Sequence, residues 1–219
     1  MSEPLLPIIE IFKVFVMTLI GLILLAKWFR GKNRFYTDMP FLFGIAMLFA
    51  AVGESLDVLM DLAILPPELV IFKIRTTIVT FTLIFWLIAT LLIWFNERPR
   101  LGYLIVIVYV VVLLSVTWLA PEINLVRLWV MPFLFALFIV FIITFILAWY
   151  WKRLPDVHGL VMAIGVIIAM FGQALKVPLS TINLTWVSEI LDLIGLSILA
   201  VGLLIKPGYA KTGRLTEKQ

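Results

Sequence analysis

The chain contains no cysteine, a single histidine and few charges, with Asp, Glu, Lys and Arg making up only 14% of its 219 residues. The missing cysteines exclude disulfides, thiolate metal sites and cysteine nucleophiles. The scarcity of charge excludes an ordinary soluble domain, in which about a quarter of the residues are charged. What fills the chain instead is apolar: 64% of it is hydrophobic, with a mean hydropathy of +1.19. One soluble core of this size cannot hide that excess. A soluble enzyme, a disordered tail and a disulfide-stapled secreted domain are ruled out, leaving an all-α integral membrane protein built almost wholly of spans.

Seven apolar stretches are long enough to cross a hydrocarbon core, which takes about 20 helical residues. They run Ile8–Phe29, Met39–Leu62, Leu69–Phe95, Leu101–Leu119, Val126–Trp151, Gly159–Leu179 and Trp186–Ile205. Breakers separate them at Gly31 to Asn33, Pro66-Pro67, Pro99, Pro121, Pro155 and Pro207-Gly208. The runs are apolar on every face rather than alternating, which predicts helices and not barrel strands. The first is too long for a cleaved signal and has no basic leader. The expectation is a single seven-helix domain over residues 1–206 and a short cytoplasmic tail over 207–219, in a multi-pass protein of the cell membrane.

Orientation follows from Lys and Arg. The odd-numbered loops and the tail hold 12 of the 17 basic residues: Lys27, Arg30, Lys32, Arg34, Arg98, Arg100, Lys152, Arg153, Lys206, Lys211, Arg214 and Lys218. They hold only Asp38, Glu97, Asp156 and Glu217 of the 13 acids. The N-terminus is therefore expected outside and the C-terminus inside. The basic pI of about 9.4 becomes a topology signal, and no nucleic-acid partner is expected.

Sliding the chain against itself by 119 positions lays Gly53-Glu54-Ser55-Leu56-Asp57-Val58 on Gly172-Gln173-Ala174-Leu175-Lys176-Val177, and Lys73 on Asp192. This suggests parallel repeats over 8–95 and 126–205 joined by a linker helix over 101–119, a 3+1+3 plan. Each triplet would then hold one intramembrane salt bridge with the signs exchanged, Asp57 with Lys73 and Lys176 with Asp192. Selection for pairing would produce this, because an unpaired charge in lipid costs several kcal/mol.

The candidate ligand-binding or ion-pair residues are Glu54, Asp57, Asp61, Lys73, Arg75, Gln173, Lys176, Glu189 and Asp192. Glu54, Asp57 and Asp61 share one helix face at i, i+3 and i+7. Glu54 lies about 10–12 Å from its helix end at 1.5 Å per residue, too deep to reach bulk water alone. The cluster reads either as an outward-facing polar pocket for an ion or small polar solute, or as ion pairs that hold the helices together. Lys73, Arg75 and Lys176 would repel a metal cation, so no metal is expected. His158 follows Pro155-Asp156 on the opposite side and reads as a loop or capping residue. Ser55, Ser180 and Ser188 have no histidine on their side, and no Walker, HExxH or dinucleotide motif occurs. No enzymatic activity and no cofactor are expected.

Small residues (Gly44, Ala46, Ala50, Ala51 and Gly53; Gly165, Ala169, Gly172, Gly195 and Gly202) predict close helix packing. Most tryptophans fall near span ends, as interfacial belts do, and mid-span Trp86 is expected in the core. Thr76, Thr77, Thr80 and Thr82 point weakly to a lined cavity. Asn183-Leu184-Thr185 is a glycosylation sequon.

The seven spans, the outside N-terminus and the duplication resemble the rhodopsin-like and small-transporter group of seven-helix proteins. Leu191-Asp192-Leu193 and Arg75-Thr76-Thr77 loosely resemble microbial rhodopsin signatures. That group carries its retinal on a lysine one turn after such an aspartate, where this chain has Leu196, so a covalent retinal is not implied. The arrangement also resembles the seven-helix input region of sensor kinases. Three function classes follow. The chain is a receptor-like or sensory module with a separate cytoplasmic partner, a small-solute or ion transporter, or an accessory subunit of a larger membrane complex.

Overall fold

The computed structural model describes residues 5–31, 35–95 and 98–207. The expectations that rest on Lys32, Asn33, Arg34, Glu97, and the tail with Lys211, Arg214, Glu217 and Lys218 lie outside the described residues. The described residues form seven helices: α1 (Leu6–Phe29), α2 (Met39–Asp61), α3 (Leu69–Trp94), α4 (Pro99–Leu119), α5 (Ile123–Tyr150), α6 (Gly159–Ser180) and α7 (Thr185–Leu204). Each is long and apolar enough to cross a membrane. Proline opens α1, α2 and α4 at the first or second helical position, where its missing N–H is one of the unpaired donors anyway. Pro132 and Pro178 lie inside α5 and α6, and both helices run on through them.

Three helix ends close without glycine. Ala63, Lys152 and Asn183 take left-handed φ values of 55°, 55° and 56°. The following amides reach back to close each turn: Ile64 to the Leu59 carbonyl, Arg153 to that of Ala148 and Leu184 to that of Leu179. This is the reverse turn that glycine usually makes at a helix C-terminus.

The chain divides into two compact units, Met1–Leu137 and Phe138–Gln219, with the division inside α5. In the first unit α2 packs between α1 and α3, and α4 packs on α3. Gly21 and Gly44 bring α1 and α2 together, a Cβ on Gly21 falling 3.0 Å from the Gly44 carbonyl oxygen. Phe43 and Trp86 stack tilted at 5.5 Å in the core, so Trp86 is a packing residue.

In the second unit α6 and α7 pack antiparallel, backbone against backbone. Gly165 and Gly172 on α6 lie seven residues apart, as do Ser188, Gly195 and Gly202 on α7. A Cβ on Gly165 would fall 2.5 Å from the Leu199 amide nitrogen, and one on Gly195 2.5 Å from that of Ala169. At the end of the seam the His158 amide donates to the Gly202 carbonyl at 2.8 Å. His158 holds the N-cap position of α6, with no side-chain capping bond; its backbone makes the tie.

Large apolar side chains stay exposed along the helices, among them Phe15, Leu22, Leu104, Val108, Val111, Ile139 and Ile143. Water would not tolerate so much apolar surface, whereas lipid requires it. Seven apolar helices with this outward surface fit a polytopic membrane protein.

Candidate functional site

The nine candidate residues fall into two groups, one within each unit. In the first unit they gather where α1 and α3 begin and α2 and α4 end. Here the structure adds two residues that sequence reasoning passed over. Glu10 and Lys13 lie at i and i+3 on α1 and are 3% and 0% exposed. The Lys13 ammonium meets Oε1 of Glu54 at 3.1 Å. The available signal was in the first span itself, where these are the two charges ahead of the last turn in an otherwise apolar run.

Lys13 takes one carboxylate of the α2 face and Arg75 the next. Arg75 grips Oδ2 of Asp57 from Nε at 3.0 Å and from Nη2 at 2.6 Å. Asp61 closes the row as an exposed residue at the end of α2. The second oxygen of Glu54, Oε2, is buried and has no hydrogen-bond partner among the described residues. A buried acceptor left open in this way is uncommon and expensive.

The expected pair of Asp57 with Lys73 is corrected here: Asp57 is paired with Arg75, and Lys73 turns to α4. Its ammonium donates to the Trp118 carbonyl at 2.8 Å and lies 5.9 Å from the Trp118 ring centre. The reason is helix geometry. Residues two apart point to nearly opposite sides, so Arg75 faces α2 when Lys73 faces α4. The acceptor lies one residue from the end of α4, where the helix dipole is negative and favours a cation. The Trp118 indole N–H donates to Oγ1 of Thr77 at 3.2 Å. Thr77 in turn donates to the Lys73 carbonyl at 2.8 Å, closing a small ring of bonds between α3 and α4.

In the second unit the group lies where α6 ends and α7 begins. The Lys176 ammonium pairs with Glu189, 1% exposed in its side chain, at 2.6 Å. Asp192, expected opposite Lys176, accepts the Gln173 amide at 3.1 Å. Glu189 and Asp192 stand one turn apart on α7, so the two α6 donors, also nearly one turn apart, can each find an acceptor.

The hydroxyls near these groups bond their own helices. Ser55 donates to Ala51, Ser188 to Thr185, Thr76 to Phe72 and Thr80 to Thr76, each to a carbonyl three or four residues back. They present methyl and methylene groups to their surroundings rather than donors, so Thr76 and Thr80 do not line a polar cavity, whereas the buried Thr82 hydroxyl has no hydrogen-bond partner among the described residues. Among the described residues, no group of three His, Asp or Glu is placed to hold a metal ion.

With the charge pairs and their helices in view, comparison with known proteins adds no relative: no protein family, curated protein or solved structure matches this chain. The fold fits a polytopic membrane protein whose apolar helices are joined by ion pairs.

Proposed function

We propose that the chain is a receptor-like or sensory membrane module, without enzymatic activity. A small polar ligand or ion, entering from the outer face, acts on the Lys13–Glu54–Asp57–Arg75 group, and a separate protein reads the change at the basic loops. The observation that carries the reading is the open Oε2 of Glu54, buried beside a lysine with no exposed surface. A hydrogen-bond donor arriving there satisfies the oxygen and weakens the hold of Lys13. The tie between α1 and α2 is then the element that a ligand shifts. The unbroken helices favour this over transport, because midplane transport sites are commonly built on interrupted helices. The 3+1+3 plan rests on the 119-residue offset alone.

The test is a thermal-shift screen of detergent-purified protein against ions, amino acids, nucleosides and lipids, with Glu54→Gln as control. Gln keeps an oxygen toward Lys13, so the variant is expected to fold and to lose the shift of any true ligand. A shift that survives Glu54→Gln places the site elsewhere and sinks the reading. Flux of the same ligand in proteoliposomes would make the chain a transporter. A stoichiometric membrane partner with no ligand response would make it a subunit.

The proposed orientation has its own measurement. The chain is free of cysteine, so single cysteines at Arg100 and Asn183 can be labelled in intact cells with an impermeant reagent. Asn183 is expected to react from outside and Arg100 only after lysis. Reaction of both from one side overturns the topology.

A further inference from the structure

We propose that the cleft between α3 and α4, at the end opposite the Lys73–Trp118 ring, holds an anionic phospholipid, with acyl chain in the cleft and phosphate on Arg98 and Arg100. The cleft is a shallow, half-open groove with apolar walls, Leu91 on α3 and Phe95 just past its end facing Pro99, Gly102, Tyr103 and Val106 on α4. The four α4 residues follow the i, i+3, i+4, i+7 spacing of one helix face. Gly102 keeps the floor low: a Cβ placed there would sit 3.6 Å from that of Phe95 and 3.7 Å from that of Leu91. Ordinary contact at these distances means the glycine is not forced by helix approach. Its missing side chain is part of the space.

Charge complementarity names the occupant. Arg98 and Arg100 flank Pro99, which lines the cleft, and both are exposed. Among the described residues neither is ion-paired. Arg98 stands at the N-cap of α4 and Pro99 opens the helix, so the first-turn amides of the Arg100 end point the same way as the positive end of the helix dipole. Two guanidiniums over an apolar slot at a helix end suit a phosphodiester carrying a hydrocarbon tail, since a guanidinium matches phosphate oxygens bidentately. Tyr103, half-exposed one turn beyond Arg100, has the amphipathic ring found at the level of lipid headgroups. Basic pockets between membrane helices recognise anionic headgroups by this combination.

The experiment offers purified protein an equimolar mixture of phosphatidylglycerol and phosphatidylcholine and reads the retained lipids by native mass spectrometry. The parent is expected to retain phosphatidylglycerol preferentially. Arg98→Gln/Arg100→Gln is expected to lower that preference roughly fivefold for each arginine removed. Gly102→Leu, which fills the slot, is expected to lower retention of both lipids; Val106→Phe serves if that variant does not fold, with thermal melting as the check. Lys152→Gln/Arg153→Gln, which removes equal charge elsewhere, is expected to leave the preference as it was. No preference in the parent overturns the proposal, as does an unchanged preference in the Arg98/Arg100 variant. An equal loss in the Lys152/Arg153 variant assigns the effect to diffuse charge and overturns it too. Unchanged retention by both slot-filling variants removes the cleft as the acyl-chain site.

Discussion

Lys13→Met is expected to destabilise the protein by about 3–5 kcal/mol, the usual loss when one partner of a buried ion pair is removed. Lys13 has no exposed surface and its ammonium reaches Glu54 at 3.1 Å, so nothing in water can replace it. Methionine keeps the length and apolar stem of the lysine and removes the charge alone. Glu54 is then left in the α1–α2 contact with Oε1 as bare as Oε2 already is. Lys13→Met/Glu54→Met removes both charges and is expected to recover part of the loss, because apolar replacements of buried pairs are often neutral or stabilising while Glu10 stays buried one turn from position 13. Reversible unfolding in mixed micelles measures all three proteins. A double variant as unstable as Lys13→Met would show that the shape of the lysine, and not its charge, holds α1 to α2.

Gly195→Ala is expected to lose about 3 kcal/mol, the upper end of ordinary overpacking. The added methyl would fall 2.5 Å from the Ala169 nitrogen and 2.7 Å from the Gly165 oxygen. Both are backbone atoms of α6, so no rotamer change relieves the clash and the helices must separate. The helix-propensity gain of up to about 1 kcal/mol for replacing glycine by alanine only partly offsets this. Gly53→Ala is the informative control. There the new Cβ meets Val79 Cγ2 at 3.4 Å and Ile78 Cγ2 at 3.7 Å, ordinary contacts with side chains. The propensity gain is expected to show, as unchanged or slightly raised stability. Equal melting of Gly195→Ala and the parent would contradict the backbone contact of α6 and α7.

These outcomes turn on features that the sequence showed unequally. The spans were legible to within three residues at every boundary, because apolar runs and proline breakers are local and additive; α5 began three residues early, at Ile123. The left-handed ends at Ala63 and Lys152 carried no such mark, since neither residue prefers that conformation. In the site, sequence spacing located the charges at helix ends but could not choose partners. The repeat offset paired Asp57 with Lys73, but the rotation of α3 gives Asp57 to Arg75. Lys13 is one lysine in an apolar run, and only packing shows that it is sealed from water. Thr76, Thr77 and Thr80 misled for a related reason. In an apolar setting a hydroxyl finds its nearest acceptor in the carbonyl one turn behind, so hydroxyl content in a membrane helix says little about a polar cavity.

The seam between α6 and α7 also constrains descent. Lipid-facing positions such as Ile139, Ile143 and Val108 ask only for oiliness, and exchange among Leu, Ile, Val and Phe erases similarity there without harm to the fold. Where backbone touches backbone the tolerance ends. Gly165 and Gly172 on one helix, with Ser188, Gly195 and Gly202 on the other, form two rows of small residues whose spacing cannot drift unless both rows drift together. Distant kin of this protein are therefore to be sought by that paired seven-residue rhythm near the end of the chain, in sequences whose remaining letters have otherwise changed.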